Sequence, residues 1–217
     1  MRPPSAMIFA AGFGTRMGTL TENTPKPMLP FKGRPLIDHS IEILRDAGVE
    51  KIVANTHYLP ETLEAHLHRE NVITHREVAI LETGGGLKAA LPLLGDGPVI
   101  TINPDVLWTG RNPAKALMEA WRPDMKALLM LYQTEQSECD FSLYNGKISR
   151  KGPFRYTGLQ MIQPEGLLDF GTPVFSLNRV WDRISSQGNL NGIVHDGGWI
   201  DVGTEADLMA ARSRVGK

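Results

Sequence analysis

Short runs of consecutive apolar residues alternate, along the first half of the chain, with longer stretches whose apolar positions recur every three or four residues. The run SAMIFAA at 5–11 is apolar throughout, the pattern of a strand covered on both faces. In PLIDHSIEILRDAG, 35–48, Leu36, Ile37, Ile41, Leu44 and Ala47 fall at helical spacing, with Pro35 suited to the first turn and Gly48 to the stop. The same alternation predicts strands at 51–55, 77–81 and 98–103, and helices at 60–69, 85–94 and 112–121. Strand and helix in regular succession point to a doubly wound α/β fold, a mostly parallel, mixed sheet with helices on both faces.

After 121 the pattern becomes more mixed. Segments 125–134, 140–150 and 155–162 read as strands, and Asn145-Gly146 is a strong hairpin turn. A helix is predicted at about 176–187, strands at 190–195 and 198–202, and a closing helix from 204 to about 214. No linker, repeat or low-complexity stretch divides the chain. The reading is one domain, 1–217, with a nucleotide-type front half.

Composition narrows the partners. The chain's 217 residues suffice for a substantial core. With 23 basic and 24 acidic residues and a net charge of −1, there is no electrostatic case for nucleic acid or an anionic membrane. Cys139 is the only cysteine, which excludes an intrachain disulfide and fits a reducing compartment. The apolar stretch near the start runs only from Ala6 to Ala11, short of the roughly 7–15 residues of a signal-peptide core. No run reaches transmembrane length. A cytoplasmic, soluble protein is expected, and the lack of a long exposed apolar stripe leans towards a monomer.

Chemistry concentrates in a few stretches. FAAGFGTRMG, 9–18, follows a predicted strand, where glycines let backbone approach phosphate. It is no Walker A loop, since no lysine follows the glycines. It is no dinucleotide fingerprint either, because Met17 stands where the third glycine belongs and Asn55 where an acid is wanted, which disfavours a dehydrogenase. Amides of this loop would ring a polyphosphate, and Arg16 could grip its outer oxygens bidentately. Prolines 25, 27 and 30 stiffen the loop around Lys26, holding a point charge at a fixed place; an ordinary surface lysine is the plainer reading. Asp105 and Asp201 each stand at the end of an apolar strand, a sensible Mg²⁺ pair. Asp201 could instead cap the last helix, but Thr204 already suits that role. The glycines of LETGGG, 81–86, make either a tight turn or room for a flat base, and Gly158 inside a strand marks a bulge or a close approach. His57, His66, His68 and His75 show no metal-ligand spacing.

Taken in order, FAAGFGTRM, TPKPMLP, LETGGG, INPDV and WIDVGT resemble the sugar-1-phosphate nucleotidylyltransferases over nearly the whole chain. The likeness is greatest to the N-acetylmuramate 1-phosphate uridylyltransferases, then to the mannose-1-phosphate guanylyltransferases. The resemblance implies a Rossmann-like, glycosyltransferase-A-like fold. It places Ala11, Gly12, Gly14, Thr15 and Arg16 on the nucleotide, Lys26 on phosphate, and Thr83, Gly84 and Gly85 near the base. It places Asn103 and Gly158 near the sugar and Mg²⁺ on Asp105 and Asp201, with Arg16, Lys26 and Asp105 carrying catalysis. The implied reaction is attack by a sugar 1-phosphate on the α-phosphorus of an NTP, releasing pyrophosphate. UTP and N-acetylmuramate 1-phosphate, in cell-wall sugar recycling, are the implied substrates. Two departures stand out: Pro104 replaces the family's usual glycine before Asp105, and the 66–82 segment is short. The alternative within the class is GTP with mannose 1-phosphate or a related sugar; a catalytically silent nucleotide-sugar sensor is the alternative from another class, and the intact Asp105, Asp201, Arg16 and Lys26 argue against it.

Overall fold

The computed structural model describes residues 3–214. Strand β1 (Ser5–Phe9) leads through 3₁₀ segments Thr15–Thr21 and Lys26–Met28 to a small ribbon, β2 (Pro30–Phe31) and β3 (Arg34–Pro35). Then come α1 (Leu36–Asp46), β4 (Ile52–Thr56), α2 (Pro60–Arg69), β5 (Ile73–Arg76), α3 (Glu82–Leu94), β6 (Val99–Ile102), β7 (Val106–Trp108) and α4 (Pro113–Ala120). The back half holds β8 (Ala127–Gln133), β9 (Cys139–Tyr144), β10 (Lys147–Gly152), β11 (Phe154–Ile162), α5 (Glu165–Leu168), α6 (Leu177–Ser186), β12 (Leu190–Val194), β13 (Trp199–Asp201) and α7 (Glu205–Arg214).

Both halves build one mixed sheet in the order β5-β4-β1-β6-β11-β8-β12-β10-β9. β5, β4, β1 and β6 are parallel, β11 runs against β6 and β8, and β12 runs with β8. β1, β4 and β6 are buried on both faces, which is why their sequences read as largely apolar runs; β5, at the edge, is not. On β1, Ala6 and Ile8 enter a core with Ile37, Ile41 and Leu44 of α1, Leu63 and Leu67 of α2, and Leu117 of α4. Met7 enters the opposite core with Leu87 and Ala90 of α3 and Val180 and Trp181 of α6. The chain thus leaves β1 over one face and returns to β6 over the other. Where the direction reverses, the carboxyl ends of β1 and β6 frame a crevice, the usual ligand position in such sheets.

A third, smaller core fixes the rim of that crevice. Met17, Leu29, Phe31, Leu36, Leu107, Val202, Leu208 and Ala211 pack together. They tie the segment after the glycine loop to α7 and to the antiparallel pair β7–β13.

Two predicted elements change. The strand expected at 77–81 lies at Ile73–Arg76, and α3 begins at Glu82 rather than Gly85. The apolar run misleads because Val78 is fully exposed, while Leu81 N–H is tied back to the Glu77 side chain. β7 and α5 are too short for periodicity to reveal. The Asn145-Gly146 hairpin forms as expected, both residues at positive φ of 48° and 77°.

Candidate active site

A cleft of about 320 Å³ opens over the carboxyl ends of β1, β4 and β6. Ala11, Gly12, Gly14, Thr15, Arg16, Lys26, Thr83, Asn103 and Asp105 all line it, so the fold gathers residues spread over nearly a hundred positions. Each glycine of the GFG turn has its own reason. A Cβ at Gly12 would meet nothing within 4 Å, so that backbone faces open space. Gly14 takes φ +67°, and a Cβ there would lie 2.9 Å from Lys26 Cβ; the glycine lets the lysine stem cross the turn. The N–H groups of Gly12, Phe13 and Gly14 donate to no protein acceptor among the described residues. Unspent donors around an open turn suit an anion.

Lys26 opens the short 3₁₀ segment and is buried, and its ammonium forms an ion pair with Asp105. Asp105 precedes β7, its carbonyl accepts from Val202 N–H at 2.9 Å, and Asp201 stands opposite Val106 on β13. Asp201 is exposed and is not among the residues lining the cleft, yet partial burial and then the charges of Asp105 and Asp207 push its carboxyl above the usual range; Lys26 and Arg16 pull the other way. Thr204, as expected, caps α7: Asp207 accepts from Thr204 N–H at 2.8 Å and Thr204 Oγ1 accepts from Asp207 N–H at 3.2 Å. Asp201 is left free of that duty. A Cβ at Gly203 would lie 3.0 Å from an Arg16 guanidinium nitrogen, so the glycine of WIDVGT makes room for that arginine.

No group of three or more His, Cys, Asp or Glu side chains converges among the described residues. Asp105 and Asp201 alone are a partial ligand set. Such a set fits Mg²⁺, which is held by one or two carboxylates with water and substrate phosphate, and suits poorly a metal needing a full protein cage.

The opposite end of the cleft holds residues the sequence did not reveal. Asn55 Oδ1 accepts from Ala10 N–H at 2.8 Å, and Asn55 Nδ2 donates to Glu77 Oε1 at 2.7 Å. Glu77 Oε2 accepts from Leu81 N–H at 3.1 Å, and both side chains are 4% exposed. Only the break in apolar pattern at Glu77 hinted at this. A Cβ at Gly86 would press within 2.6 Å of Glu77 Oε1, so the third glycine of LETGGG shelters this network.

Gly84 and Gly85 are not among the cleft-lining residues. Their N–H groups donate to Phe175 O at 2.9 and 3.0 Å, and their missing side chains admit Phe175 and Pro173 against α3. They act in packing, neither as a turn nor as a platform. Gly158, at φ +86°, also stands behind the cleft, where a Cβ would lie 2.8 Å from the Asn103 amide.

A model of the MobA-like NTP transferase domain matches residues 6–194. The chain belongs to that family. Among relatives of this MobA-like transferase, N-acetylmuramate alpha-1-phosphate uridylyltransferase from Caulobacter vibrioides is 36% identical, over 98% of this chain and 97% of its own. The Neisseria meningitidis serogroup B protein of the same name is 34% identical over 97% and 98%. The structure of HddC from Yersinia pseudotuberculosis complexed with GMP-PN matches with a TM-score of 0.79 at 21% identity, covering 98% of this chain and 99% of that one. That last likeness establishes the shared fold.

Proposed function

We propose that this protein transfers UMP from UTP to N-acetylmuramate 1-phosphate, forming the UDP-sugar and pyrophosphate in cytoplasmic cell-wall sugar recycling. One observation carries the proposal: unspent loop amides, Arg16 and the Lys26–Asp105 pair meet in one cleft. The front half would hold the nucleotide and the back half the sugar, in one domain. Near full-length relatives of that activity support the choice of substrates.

A sugar phosphate oxygen is already ionised at neutral pH, so the reaction needs no general base. That oxygen bonds to the α-phosphorus of UTP, the bond from the α-phosphorus to the bridging oxygen breaks, and pyrophosphate leaves with the electron pair. The chain's task is to bring two polyanions together. Arg16 and Lys26 supply countercharge, and the Gly12–Gly14 amides orient the polyphosphate. Asp105 and Asp201 would hold Mg²⁺, which when bound supplies further countercharge at the phosphates.

A guanylyltransferase relative supplies a second reading within the class. A mannose-1-phosphate guanyltransferase from Aspergillus fumigatus is 29% identical over 94% of this chain and 62% of its own. Pyrophosphate release from each NTP with a panel of sugar 1-phosphates decides between them. UTP with N-acetylmuramate 1-phosphate should give the fastest release; GTP with mannose 1-phosphate would install the second reading.

A further inference from the structure

A second recess continues along the same edge of the sheet. β6 and β8 both run against β11, so the end of β8 lies at the same edge as Asn103. Tyr132, near that end, pairs across the ladder with Arg155, and residues directly opposite share one face of a sheet. The Tyr132 ring lies 5.4 Å from that of Trp199, whose indole N–H donates to Thr157 O at 3.1 Å. Thr157 adjoins Gly158, which backs Asn103 in the cleft. A path of contacting residues therefore leads from the cleft through Gly158, Thr157, Trp199 and Tyr132 to Arg155, where Tyr132, Glu135 and Arg155 line a separate open recess. Arg155 is exposed and, although Glu135 lines the same recess, it pairs with no carboxylate among the described residues, whereas Arg150 on β10 is engaged by Asp182.

We propose that this path is the sugar subsite and that Arg155 selects a sugar 1-phosphate carrying a carboxylate. The assignment rests on the sugar-1-phosphate reading above. A planar guanidinium matches a carboxylate bidentately, and the Tyr132 and Trp199 rings offer apolar surface to a pyranose. The reach is suitable. Arg155 stands three residues before Gly158, roughly 10 Å along a strand, about the span of a sugar ring bearing a short acid arm. N-acetylmuramate differs from N-acetylglucosamine only by such an arm, the lactyl ether on O3.

The test compares kcat/KM of the parent, Arg155→Ala and Arg155→Lys with N-acetylmuramate 1-phosphate and N-acetylglucosamine 1-phosphate, at saturating levels of the NTP the parent prefers. Arg155→Ala should lose about 10- to 100-fold with the carboxylated sugar, mainly through KM, and stay within about twofold with the other. Arg155→Lys should fall between, keeping charge without the fork. Melting temperatures should not move, since Arg155 is exposed. If the parent fails to prefer the carboxylated sugar, the substrate reading falls and the subsite with it. If the parent prefers it and Arg155→Ala keeps the ratio, or loses equally with both sugars, the subsite alone is overturned.

Discussion

Replacing Gly85 by alanine separates packing from base contact in the LETGGG stretch. A Cβ at Gly85 would stand 2.1 Å from Pro173 O and 3.1 Å from Leu81 Cβ. The first contact is with backbone, so no side-chain rotation relieves it, and the 171–175 segment must move off α3. Overpacking of this kind costs about 1–3 kcal/mol. Displacing Phe175 O also strains the two N–H bonds from Gly84 and Gly85, worth about 1 kcal/mol each. Alanine in place of glycine in a helix returns about 1 kcal/mol. The net loss is about 2–4 kcal/mol, which lowers the melting temperature of a domain this size by about 4–16 °C. Urea and thermal unfolding measure the stability, and KM for the NTP measures the cleft. A variant with parental stability and a KM for the NTP raised tenfold would refute the packing role and restore contact with the base.

Lys26→Ala should cut turnover heavily and also cost about 1–3 kcal/mol, because Asp105 loses its partner in a part-buried place; unchanged kinetics would return TPKP to a stiff surface loop. EDTA should abolish pyrophosphate release and Mg²⁺ restore it. Asp105→Ala and Asp201→Ala should each lose on the order of 10²–10³-fold in rate, with the double variant hardly worse, since groups acting as one unit are not additive; multiplied losses would separate the two roles. In nucleotide-free protein, Asp201→Asn should melt higher at neutral pH. A carboxyl raised by burial and Asp105 costs stability wherever it is ionised, so the gain should shrink as pH falls through the raised folded value and vanish below about 4, where the group becomes protonated in both states. A gain that grows on acidification would contradict that sign.

Legibility followed the range of the interactions. Buried strands and amphipathic helices announce themselves because each pattern is local, and the turn at Asn145-Gly146 is set by its own two residues. The glycine loop, Lys26 and the two aspartates were readable because strand ends in this architecture share an edge. The Lys26–Asp105 pair spans 79 positions, and no local pattern records that the lysine is buried. Gly84, Gly85 and Gly86 were misread as turn or platform because what they accommodate, Phe175, Pro173 and Glu77, is set by tertiary packing. Asn55 looked like a missing acid, yet it bridges Ala10 to Glu77, a role visible only with β1, β4 and the 77–81 segment in place.

Transfer of label from UTP carrying ³²P at the α-position tests the central claim most directly. With N-acetylmuramate 1-phosphate and Mg²⁺ present, label should pass into the UDP-sugar while unlabelled pyrophosphate appears in equal amount, and neither product should form without the sugar phosphate. Labelled UMP released without the sugar, or label that never leaves UTP in the complete mixture, would contradict it.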